Sequence, residues 1–187
     1  MNEQSTLVKS KLSVKFKLLA ASVAVAAAVA LPQLIHLLGG SIGMGSALGE
    51  MLLPMHFPIL LLGLLVGPQV AVLAGLASPL ISFFLTGMPT PAMLTFMMLE
   101  LGIYGVTAGL LKDYHIPTFS KVLIAQIGGR VIRGAAILTA YYLIGSRAVS
   151  PAVILSSIRK GWIGIVLQIL FIPMILTAWD RFSSRHE

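Results

Sequence analysis

The chain has 187 residues, 57% of them hydrophobic and 10% charged, with a mean hydropathy of +0.96 and a formal net charge of +7. Soluble domains carry about 25% charged residues, so the polar side chains here are too few to cover a surface and lipid must be the solvent over much of it. The absence of cysteine excludes disulfides, iron–sulfur clusters and thiol catalysis, and the excess of Lys and Arg reads as the loop charge of a membrane protein rather than a nucleic-acid footprint.

In lipid every backbone amide needs an internal partner, which leaves helices or a closed barrel. The apolar runs are continuous rather than alternating, so helices are favoured. Residues 1–15 are read as a basic segment carrying Lys9, Lys11 and Lys15. They precede a first span at about Phe16–Leu38, which is too long for a signal peptide and is read as retained. Pro32 should kink that span. The glycine-rich stretch Gly39–Ser46 is too flexible for a helix and too apolar for an ordinary loop.

A short second span, Leu53–Val66, carries Pro54 and Pro58 and ends in the turn Gly67-Pro68. The third, Gln69–Leu85, should lose regular hydrogen bonding at Pro79. A rigid Thr86–Pro91 turn leads into the fourth, Ala92–Leu111. The fifth covers Phe119–Ile144, the sixth Ser156–Ala178 with Pro173 inside, and residues 179–187 form a polar tail. The expectation is an all-α integral membrane protein, one compact six-helix bundle over residues 16–178. Placing both termini in the cytoplasm puts eight basic residues inside (Lys9, Lys11, Lys15, Lys17, Lys112, Lys121, Arg181, Arg185) against Arg147, Arg159 and Lys160 outside.

Charges inside spans cost a few kcal/mol each, so they are functional candidates by default. Glu100 lies about 13 Å of helix rise into the fourth span. It either pairs internally with Arg130 or Arg133, or binds ligand directly or through such a pair. Arg130 and Arg133, three residues apart, share one face of the fifth helix. One of them can hold Glu100 while the other binds an anion or snorkels to the interface. His56, between Pro54 and Pro58, is either a ligand donor or a helix cap. Glu50 is either an acid favoured by a helix N-terminus or a pocket-rim residue. Met88 and Met97 belong to a methionine-rich half of the chain and are either filler or a malleable pocket lining. Tyr104 either stacks on a ligand ring or sits at an interface. Ala20, Ala24 and Ala28 form a small-residue stripe that admits another helix, from within the bundle or from a partner.

The sequence holds no nucleotide-binding Gly-x-x-x-x-Gly-Lys-Ser/Thr, no His-Glu-x-x-His and no hydrolase signature. His36, His56 and His115 are scattered, so no metal site is expected.

The combination of the alanine stripe, Leu53-Pro54-Met55-His56-Phe57-Pro58-Ile59-Leu60 through Gly67-Pro68, Ser78-Pro79-Leu80, Thr86-Gly87-Met88-Pro89 and Phe96 to Gly105 resembles a known family. It is similar to the membrane-embedded substrate-binding subunit, or S component, of energy-coupling factor (ECF) vitamin importers. The resemblance spans essentially the whole chain. It implies no catalysis and no cofactor in this chain. It implies a vitamin or precursor bound near the outer face by Glu50, His56, Met88, Met97, Glu100 and Tyr104. It also implies docking through Ala20, Ala24 and Ala28 on a transmembrane T component that works with two ATPase subunits, in a bacterial plasma membrane. A hydroxymethylpyrimidine or pyridoxine-type ring leads among substrates, with pantothenate or cobalamin as alternatives. A stand-alone secondary transporter or small intramembrane enzyme is the competing class.

Overall fold

The computed structural model describes residues 12–183, and these fold as a helical bundle with six spans long and apolar enough to cross a membrane. The elements are α1 (Val14–Ser41), α2 (Ala47–Leu52), α3 (His56–Val66), α4 (Pro68–Thr86), α5 (Pro91–Leu111), α6 (Thr118–Leu138) with a π-helical turn at Thr139–Leu143, and α7 (Ala152–Ser183). The short helices α2 and α3 together make the second span.

Local chemistry sets the boundaries. The Ser13 hydroxyl accepts from the Phe16 amide and caps α1. Proline opens both α4 and α5, where its missing N–H costs nothing. Gly87, at φ +73°, closes α4 in the left-handed conformation that glycine reaches without strain. The large apolar side chains left exposed, among them Leu18, Leu37, Phe84 and Leu143, face outward as a lipid-spanning bundle requires.

The helices α1 and α4 hold Pro32 and Pro79 inside them and end at Ser41 and Thr86. The chain departs from the sequence expectations at several points. The glycine-rich stretch shrinks to a tight turn in which the Met44 and Gly45 amides both donate to the Gly39 carbonyl, at 2.8 and 2.9 Å. The residues just after it, expected as loop, form α2. The second span therefore begins earlier than Leu53 and is broken at Leu53–Met55. Val14 and Lys15 already belong to α1, and α7 continues past Ala178 to Ser183. The rest of the basic segment and the end of the tail, including Lys9, Lys11 and Arg185, lie outside the described residues.

Helices pack closely where side chains vanish. At Gly75 a Cβ would strike the Leu101 carbonyl, and at Gly105 it would strike the Ala71 carbonyl. Gly109 lies against the Pro68 backbone in the same way. These three glycines let α4 and α5 lie almost backbone to backbone, the use of small residues expected when dispersion rather than water drives helix association. An even number of crossings returns the chain to its starting end, where the rings of Phe16 and Trp179 meet at 6.0 Å.

Overpacking of this seam generates a first prediction. Gly105→Leu meets fixed backbone rather than a movable side chain, so it should cost at least ~1–3 kcal/mol and lower the melting temperature of the detergent-purified chain. Gly40→Ala, where a Cβ meets nothing within 4 Å, should leave melting unchanged or raise it slightly. Equal effects would show that the seam does not set stability.

Candidate functional site

At the end of the bundle opposite Phe16 and Trp179, a cavity of about 200 Å³ lies among the close of α1, α2, the α2–α3 turn, the close of α4 and the start of α5. Gln33 and His36 of α1, Glu50 of α2, Leu53 to His56 of the turn, Ser82 of α4, Met88-Pro89 and Met97 form its walls. It falls below the ~300–1,000 Å³ of pockets for drug-sized ligands.

The helix α2 roofs this space and is seated by missing side chains. A Cβ at Gly49 would meet the His36 ring, and Cβ atoms at Gly161 and Gly164 of α7 would meet Leu53 and the Leu52 carbonyl group. Lys160 donates to Glu50 at 2.8 Å across the same junction, but both side chains are half exposed, and such rim pairs contribute little. Leu53 ends α2 at φ +51°, a left-handed conformation uncommon for a branched residue. Its carbonyl accepts from Gln168 Nε2 at 3.1 Å, and Gln168 Oε1 accepts from Gln126 at 2.8 Å. Two buried amides on α6 and α7 thus hold the turn that forms the cavity wall.

Behind that wall stands a buried polar cluster. His56, 5% exposed, opens α3 and lines the cavity. Its Nε2 lies 3.6 Å from Glu100 Oε2. The same oxygen accepts from Arg133 Nη1 at 2.6 Å, and Glu100 Oε1 accepts from the Tyr104 hydroxyl at 2.8 Å, one helical turn along α5. The rings of His56 and Tyr104 are tilted, with centroids 5.3 Å apart. Gly129 makes room for Tyr104, since any Cβ there would overlap its ring. Arg130 donates to the Gln126 carbonyl at 3.4 Å, and its guanidinium carbon is 5.8 Å from the Tyr104 ring centre, near the outer limit of a cation–π contact.

Of the residues singled out from sequence, Glu50, His56, Met88 and Met97 meet around the cavity. Glu100 and Tyr104 do not line it; they back His56. Arg133, not Arg130, is the ion-pair partner of Glu100. Ala28 is fully buried and Ala24 nearly so, both within the bundle core, so Ala28 presents no surface to a partner. Ala20 and Ala24 instead floor a lateral apolar groove between α1 and α3, walled by Phe57, Leu61 and Leu65. Sequence reasoning passed over Gln33, Ser82, Gln126 and Gln168. The signal was present as uncharged polar side chains inside apolar spans. Among the described residues, no group of three or more His, Asp or Glu side chains is gathered closely enough to hold a metal ion.

No protein-family model, curated protein or solved structure matches this chain. What the site can do is therefore argued from its own chemistry. It offers a largely apolar space whose polar lining includes Gln33, His36, Glu50, the buried His56 and Ser82.

The ion pair generates the second prediction. Glu100→Ala leaves the Arg133 charge buried without its partner and should cost ~3–5 kcal/mol, read as a large drop in melting temperature. The paired change Glu100→Met with Arg133→Met removes both charges and should recover most of that loss. If the double variant is no more stable than the single one, the pair does not act as a unit.

Proposed function

We propose that this chain is a membrane-embedded substrate-binding subunit of an importer, of the S-component type, that takes a small ring-containing vitamin or precursor from the outer face. One observation carries the reading: a six-span bundle holds a roofed, ring-sized cavity at one end, with a buried histidine in its wall. The chain contains no nucleotide-binding motif, so energy for uptake comes from partner subunits, a transmembrane T component and two ATPases. The basic residues support both termini in the cytoplasm of a bacterial plasma membrane, since Lys15, Lys17, Lys112, Lys121 and Arg181 gather at the terminal end against Arg147, Arg159 and Lys160 at the other. The cavity then opens outward. Its volume of about 200 Å³ favours a hydroxymethylpyrimidine or pyridoxine-type ring over pantothenate and is far too small for cobalamin. The groove floored by Ala20 and Ala24 is the face offered to the T component.

The test is uptake. Cells expressing the chain together with an ECF module should accumulate labelled ring compound in an ATP-dependent manner, and the purified chain alone should bind that compound without turnover. Ala20→Trp, which fills the half-buried groove floor, should leave binding within about twofold and abolish uptake. Transport by vesicles containing this chain alone would establish a stand-alone transporter instead.

A further inference from the structure

We infer that a single monatomic anion, chloride being the ordinary one, sits beside Arg130 and Arg133 on the seam between α6 and α7 and serves as the counter-charge of Arg130.

The charges deep in the bundle do not balance without it. Arg130 stands at the middle of the 26-residue span Thr118–Leu143, about 20 Å of helix rise from either end, so its side chain does not extend to a polar interface. An arginine stays charged in any protein environment, and a lone charge at that depth is costly. Glu100 does not supply the opposite charge. Its two oxygens accept from Arg133 at 2.6 Å and from Tyr104 at 2.8 Å, and among the described residues Arg130 makes no ion pair. What Arg130 has is the Gln126 carbonyl at 3.4 Å and the Tyr104 ring at 5.8 Å, and both are neutral. Arg133 adds to the imbalance: three residues on, it shares the face of Arg130, and like charges repel strongly where the dielectric is low. One carboxylate is set against two guanidinium groups, which leaves the cluster one negative charge short.

The space for that charge is present. A cavity of about 10 Å³ lies where α6 meets α7, lined by Arg130, Arg133, Gly134, Ile154, Ser157 and Ile158. It has room for one occupant of about the size of a water, which admits a monatomic ion and excludes a carboxylate, sulfate or phosphate. Both guanidinium groups border it, and each has five N–H donors, more than Glu100 and Gln126 use. The lining contains no acid. Its one other polar side chain, Ser157, donates to the Ile154 carbonyl at 2.9 Å and stays neutral. A water in this space would accept hydrogen bonds but leave the charge uncompensated; a halide does both. The site shares no lining residue with the cavity beside His56, so it stands independently of the import reading.

Halide exchange on the full chain in lipid nanodiscs tests the assignment. Replacing chloride by gluconate at equal ionic strength should lower the melting temperature by about 2–4 °C, the effect of losing a bound ligand worth ~1 kcal/mol in a chain of this length, and bromide should restore it. Arg130→Met removes the unbalanced charge, so it should melt alike in all three salts and no lower than the native chain does in gluconate. Crystals of the native chain grown in bromide should show an anomalous peak beside the two guanidinium groups. Equal melting of the native chain in chloride and gluconate, a chloride dependence that survives in Arg130→Met, or a bromide-free seam holding only water would overturn the assignment. Should Arg130→Met fail to fold, the salt comparison and the bromide peak on the native chain decide the matter without it.

Discussion

A single carboxylate organises the interior of this bundle. Glu100 enters a membrane span at a cost of a few kcal/mol, and the helices are arranged so that both its oxygens are used. Arg133 reaches it from α6 and Tyr104 from one turn along α5. Because the pair is closed, neither charge needs water, and the space in front of it can stay apolar. The register of α5 against α6 follows, since Gly129 must sit opposite Tyr104 for the two helices to approach. His56, the first residue of α3, stands with its Nε2 3.6 Å from the same oxygen.

The second support is uncharged. Gln126, Gln168 and the Leu53 carbonyl form a chain of hydrogen bonds across α6, α7 and the α2–α3 turn. Such networks specify a geometry more than they add stability, because each member is costly when left unpaired. Here the geometry specified is the wall of the cavity. Among the described residues, the buried charged and amide side chains lie in two places, behind His56 and beneath Leu53, and both act on the same small volume.

The spans were legible from sequence because continuous apolar runs and short proline–glycine turns carry the membrane signal directly; five of the six lie within a few residues of their expected positions. The second span was the exception. Six residues of α2 hide in a glycine-rich setting, and their helicity comes from the seat that Gly49, Gly161 and Gly164 provide, a tertiary effect with no local signature. In the site, Glu100 and Arg133 were legible as a pair because intramembrane charges demand partners. The choice between Arg133 and Arg130 was not, because both lie on one helical face and only the approach of α5 separates them. The alanine stripe was legible as a packing surface, but its division between core and groove depends on where α3 crosses α1.

The length of α7 has a consequence for the cavity. Its 32 residues extend about 48 Å at 1.5 Å per residue, well beyond a hydrocarbon core of ~30 Å. Such a helix meets the bilayer only by tilting or by projecting from it. Gly161 and Gly164, where α2 rests, lie within about 10 Å of the middle of α7 along its axis, so a tilt about that middle moves the seat of α2 far less than it moves either end. A change of bilayer thickness is thereby taken up at the two ends of α7, and the roof over the cavity keeps its place.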